Sequence, residues 1–314
     1  MVKRTFCGAL AALLLLTAAG CGGAAPPAGS APAGSAPPGV SLPAGASSPA
    51  ALPTFETYPV VDGSTACLPL MAQVMSRVCG ISMEEAEACC TASKTAQSWR
   101  SLASGAADLL LVYEAPDEVK KELGSGPALD VTPIGRDALV FIVNGQNPVE
   151  SLTRSQLIDI YAGRITNWSE VGGPDQPIVA FQRDETSGSQ TLFKKLLMGS
   201  EPLMEAPTEL RPGMMGGLID GLAGYSGAGN ALGYSVFYYA SEMYQKPGLK
   251  FLAVDGVAPS AETIGDGSYP LTNEFYAAVR ADADAASPAR QVYDWVCGPA
   301  GKEAVEAAGY VPAE

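Results

Sequence analysis

Gln182-Arg183-Asp184-Glu185-Thr186-Ser187-Gly188-Ser189 lies between a short apolar strand pattern, residues 178–181, and an apolar-periodic helix pattern, residues 190–197. The first amides of a helix have no intrahelical partner, the helix dipole is positive there, and glycine lets a ligand reach the backbone. Arg183 adds a planar fork that can hold two oxygens beside those amides. A second turn of the same kind, Asp62-Gly63-Ser64-Thr65, follows the extended Tyr58-Pro59-Val60-Val61 and opens another helix. Serine and threonine are also the commonest helix N-caps, so either turn alone reads more readily as a cap than as a ligand site. Two such turns with an arginine can make an oxyanion site.

Outward from these turns, short apolar runs alternate with amphipathic stretches. Residues 107–112, 138–144, 178–181, 231–237, 249–254 and 275–280 read as strands. Residues 67–78, 94–103, 153–161, 190–197, 217–222 and 287–308 read as helices. This alternation predicts an α/β fold without internal repeats.

Composition removes several functions. The 314 residues include no histidine, which excludes Ser-His-Asp and Cys-His catalysis and His-ligated metal sites. A net charge of −14 argues against nucleic acid, which is bound by clustered lysine and arginine. Neither Ser187 nor Ser226 stands in Gly-x-Ser-x-Gly, because Glu185 and Ala228 occupy required glycine positions, and there is no Ser-x-x-Lys. The expectation is a protein that is not an enzyme and needs no cofactor or metal.

The N-terminal residues read as a secretion signal over 1–20: Lys3 and Arg4 are basic, residues 6–19 are uncharged and apolar, and Ala18-Ala19-Gly20 supplies small residues before Cys21. The apolar run is short for a membrane span, and no later run approaches the roughly 20 apolar residues one needs. Residues 21–54 are an uncharged tract of Gly, Ala, Pro and Ser, the composition of an extended linker. Losing Lys3 and Arg4 takes two positive charges from −14 and leaves −16. Cys67, Cys79, Cys89, Cys90 and Cys297 form an odd set beyond the leader. Cys79 and the Cys89-Cys90 doublet flank a stretch with Ser82 and Glu85 at capping-box spacing, so a local disulfide is expected there, with its pairing open.

The segment Arg183 to Phe193 resembles the Arg…Ser-Gly-Thr…Phe motif of the substrate-binding proteins of phosphate ABC transporters, and Asp62-Gly63-Ser64-Thr65 resembles their first anion-holding turn. The likeness continues through Tyr161-Ala162-Gly163-Arg164-Ile165-Thr166-Asn167-Trp168, Ala231-Leu232-Gly233-Tyr234-Ser235 and Ala308-Gly309-Tyr310-Val311-Pro312. It covers about four-fifths of the chain in order. The leader resembles a bacterial lipoprotein signal, in which the cysteine corresponding to Cys21 is diacylated and becomes the N-terminus.

The resemblance implies a type II periplasmic-binding-protein fold, with two α/β lobes joined by crossing strands. Lobe 1 would comprise residues 55–137 and 275–314, and lobe 2 residues 138–274. Inorganic phosphate or a similar oxyanion would be held by Ser64, Thr65 and, from the start of the next helix, Thr95 in lobe 1. Lobe 2 would contribute Arg183, Ser187, Gly188 and Ser189, the last replacing the family's usual threonine. Glu114, in Tyr113-Glu114, stands where the family commonly has Ser-Asp; that acid accepts the proton of hydrogen phosphate and so rejects sulfate. The implied partner is an ABC permease reading lobe closure around a monomer that is lipid-anchored on the extracytoplasmic face of the cell membrane. A surface sensor or scaffold retaining the fold without transport is the alternative.

Overall fold

The computed structural model describes residues 52–224 and 228–313; the leader, Cys21 and most of the linker lie outside the described residues, as does Ser226. Its strands are β1 (Val61–Gly63), β2 (Leu109–Tyr113), β3 (Leu129–Asn144), β4 (Ser151–Leu152), β5 (Val179–Ala180), β6 (Ala231–Val236), β7 (Leu249–Phe251), β8 (Ala253–Val254), β9 (Thr272–Arg280) and β10 (Val311–Pro312). Its α-helices are α1 (Leu68–Cys79), α2 (Met83–Cys89), α3 (Thr95–Ser104), α4 (Asp117–Leu123), α5 (Arg154–Tyr161), α6 (Gly188–Phe193), α7 (Met215–Gly224), α8 (Ala261–Gly265), α9 (Pro288–Cys297) and α10 (Pro299–Ala307).

Strand β3 is shared by two sheets. Its residues from Leu129 to Ala138 pair antiparallel with β9, while Leu139 to Val143 pair with β6. The first sheet runs β1-β2-β9-β3-β10 and the second β7-β3-β6-β5. The chain therefore crosses from one lobe to the other within β3. It returns beside the same point, where Leu139 N donates to Leu271 O at 2.9 Å just before β9 begins.

Burial explains the strand chemistry. Every residue of β2 and β6 is buried, so both read as continuous runs rather than alternating ones. In β1, a Cβ on Gly63 would lie 1.8 Å from Leu111 O, so only glycine lets the first anion turn leave the sheet this close to β2. Helix α1 buries Leu70, Met71, Val74 and Val78 and stops at Gly80, which takes a φ of 67°.

Three expectations change. The strand read over 138–144 extends back to Leu129 through Pro133 and Gly135, which occupy a bulge where the register shifts. The stretch 287–308 is two helices, because the chain turns extended at Gly298 and restarts at Pro299. The five cysteines of the described residues are all free thiols, so the local disulfide expected beside α2 is not formed. That turn is instead held by its capping box: Glu85 N donates to Ser82 Oγ at 3.2 Å and Ser82 N to Glu85 Oε2 at 3.1 Å.

Candidate functional site

The two hydroxyl-glycine turns meet, Gly188 of the second facing Thr95 beside the first. In the first, Ser64 Oγ accepts from Tyr113 N at 3.0 Å and shares a 2.7 Å hydrogen bond with Thr95 Oγ1, joining the ends of β1 and β2 to the start of α3. Asp62 reinforces this: it accepts from Gly63 N at 2.7 Å, Ser93 N at 2.8 Å and Ser93 Oγ at 2.5 Å. With Ser93 tied to Asp62 and Thr95 tied to Ser64, the intervening Lys94 is forced to φ 75° and ψ 160°, a conformation rare outside glycine. Its ammonium reaches into the other lobe and donates to Gly213 O at 3.0 Å. Thr65 is half-buried and opens the 3₁₀ turn that leads into α1.

In the second turn, Ser187 caps α6 by accepting from Gln190 N at 3.1 Å. The helix continues through a π-helical turn, Lys194–Met198. Gly188 faces the first turn so closely that a Cβ there would sit 2.5 Å from Thr95 Oγ1. Ser189 Oγ lies 3.4 Å from Ser187 Oγ and accepts from Arg183 Nη1 at 3.4 Å. Ser64, Thr95, Arg183, Ser187 and Ser189 are each at most 3% exposed.

Arg183 is the electrostatic feature of this cluster. Its Nε donates to Pro212 O at 3.1 Å, and among the described residues no carboxylate forms an ion pair with it. Burial pushes its guanidinium pKa below the ordinary value, only partly opposed by the charge of neighbouring Asp184. A buried cation without an ion-paired carboxylate is costly, on the order of several kcal/mol. What the arrangement can do chemically is hold a compact anion with a guanidinium, several hydroxyls and the amides opening α6.

The sequence reading missed two supports. Tyr234 in β6 accepts from Arg183 N at 3.1 Å and donates to Gln190 Oε1, and its ring stacks on Phe193 with centroids 4.2 Å apart. It lay within a quoted motif, but its buried strand position marks only core. The Pro212 carbonyl is 29 residues from Arg183 and left no local signal.

Glu114, next to Tyr113, is paired with two lysines. Its Oε1 accepts from Lys120 Nζ at 2.6 Å, and its Oε2 accepts from Lys195 Nζ. Burial by itself raises its carboxyl pKa, but the two ammonium groups outweigh that and hold it below the usual range. Each of its two carboxylate oxygens is thus engaged by an ammonium group.

Comparison with known proteins agrees with this architecture. The profile described as "PBP superfamily domain" matches residues 47–299, and the chain belongs to that superfamily. It is similar to the phosphate-binding protein PstS of Borreliella burgdorferi, 28% identical over 64% of this chain and 71% of that protein. It is also similar to PstS of Bacillus subtilis, 32% identical over 41% of this chain and 40% of that one. Among solved structures, a candidate phosphate ABC transporter substrate-binding protein with bound phosphate from Clostridium perfringens superposes with a TM-score of 0.63 at 23% identity, covering 81% of this chain and 98% of that one. An ABC-type phosphate transport receptor from Vibrio cholerae gives 0.58 at 24%, covering 80% and 98%.

Proposed function

We propose, from membership of the PBP superfamily, that this chain captures inorganic phosphate or a similar tetrahedral oxyanion between its lobes and delivers it to an ABC permease. It would act as a monomer on the extracytoplasmic face of the cell membrane, held there by a lipid on Cys21 after removal of residues 1–20, with 21–54 as the tether. Residues 55–137 and 275–314 would move as one lobe and 138–274 as the other, so that a ligand touching both turns stabilises the closed form. Ser64, Thr65 and Thr95 would contribute from the first lobe and Arg183, Ser187, Gly188 and Ser189 from the second. The naming of curated relatives as phosphate-binding proteins supports phosphate as the anion.

The observation that carries this reading is Arg183, 3% exposed and without a carboxylate partner among the described residues, set among hydroxyls and helix-opening amides. The protein's acidity does not oppose it. The favourable contacts are short-range, and at about 0.15 M salt remote charges are screened beyond roughly 8 Å.

Isothermal titration of the leaderless protein with phosphate, sulfate, molybdate and a phosphate ester tests the reading, with phosphate expected to bind most tightly. Removing the charge-assisted contact costs on the order of 2–5 kcal/mol, so Arg183→Ala should weaken phosphate at least about thirtyfold without unfolding the chain. A loss under about threefold would move the site elsewhere.

A further inference from the structure

A second set of charges joins the segments that carry the two turns. Glu114 follows the last residue of β2 in the first lobe, and Lys120, on α4, binds it from the same lobe at 2.6 Å. Lys195 comes from the other lobe, in the π-helical turn that prolongs α6, the helix whose first residues are Gly188 and Ser189. Its ammonium donates to Glu114 Oε2 and reaches Asn273 Oδ1 at 3.4 Å, on the returning strand β9. Lys195 and Asn273 also line a cleft of about 390 Å³ with Arg136, Glu274 and Tyr276. Solvent therefore reaches the pair, whose side chains are 44% and 20% exposed.

We propose that Glu114 and Lys195 form an interlobe latch: positioning residues that hold the anion-binding helix of one lobe against the other and bias the cleft toward closure without touching the ligand. A pair made only when the lobes meet adds its free energy to the closed form alone. Where only that form binds, affinity changes by the same factor as the closed population. The bias toward closure stands on the contact itself; its consequence for phosphate affinity rests on the capture reading above.

The test is a double-mutant cycle of Glu114→Gln, Lys195→Met and the pair, read by small-angle scattering of the phosphate-free protein and by phosphate titration. Either single substitution should enlarge the radius of gyration and weaken phosphate by about two- to fivefold, the range of a partly exposed ion pair. The double variant should be no worse than the singles, and the effects should shrink between about 0.01 M and about 1 M salt. Lys120→Met, which acts within one lobe, should alter the radius less than Lys195→Met. Additive effects, or unchanged scattering and binding in Lys195→Met, would overturn the latch. So would a loss of phosphate-over-sulfate selectivity in Glu114→Gln, because that puts the carboxylate on the ligand. If the wild-type chain binds no phosphate, the capture reading fails while scattering still decides the latch.

Discussion

Asp137 shows how much a single side chain is asked to do at the crossing. It is 2% exposed and sits in β3 just before the strand changes sheets. Its Oδ1 accepts from Ala138 N at 2.7 Å and Tyr238 N at 3.1 Å, and its Oδ2 from Tyr113 OH, so it joins segments of both lobes. No cation is among these partners. Burial pushes its carboxyl pKa up to about 6, with the donated hydrogen bonds only partly opposing it. A raised carboxyl pKa means that the folded state holds the proton more tightly than the unfolded one, so this residue removes stability as pH climbs from about 4 to about 6. Asn keeps the shape and can accept both amides while donating to Tyr113. Asp137→Asn should therefore leave unfolding unchanged near pH 3.5 and stabilise the protein at pH 7.5 by on the order of 2 kcal/mol. Urea titrations at the two pH values check this; equal or lower stability of the variant at pH 7.5 would show that the charged form is well accommodated. At this scale the sequence was uneven. Arg183 was legible because its serines and glycine follow within six residues, whereas the surroundings of Glu114 were not, since Lys195 lies 81 residues away.

Among elements, α6 carries the clearest consequence. Gly188 is the first residue of α6, directly after the Ser187 cap, so alanine there gains little of the interior helix preference. The same methyl would meet Thr95 Oγ1, which its hydrogen bond to Ser64 keeps from retreating. Gly188→Ala should thus force the two turns apart, costing on the order of 1–3 kcal/mol of stability and weakening phosphate by about tenfold or more. Calorimetric melting beside titration checks it, and unaltered affinity would mean the turns are not pressed together when the ligand is held. Element types were readable wherever burial gave a clean period, as in α1 and α3, or an unbroken apolar run, as in β2. They were hidden where tertiary contacts overrode local grammar. Gly135 reads as a breaker, but a Cβ there would strike the Phe275 ring at 2.2 Å, so the close pass of β9 demands glycine within a long strand.

For the whole molecule, the order of the motifs along the chain was informative because the fold brings together only segments that strand β3 and its return allow to meet. The attachment to a surface is a separate property. Among the described residues no helix is long and apolar enough to cross a membrane, and the attachment proposed above is a covalent lipid. The small residues before Cys21 and the uncharged stretch after it are the grounds for placing that lipid on Cys21. One acyl chain binds a bilayer only marginally, while two hold it durably, which fits a diacylated cysteine bearing a long tether. Cys21→Ala in the full chain should then shift the protein from the membrane fraction to the medium or accumulate an uncleaved precursor, while phosphate affinity of the folded part stays as in wild type. Fractionation with metabolic labelling by a palmitate analogue checks both arms. Labelled, membrane-bound and normally processed Cys21→Ala protein would require another attachment site and would leave the tether without its anchor.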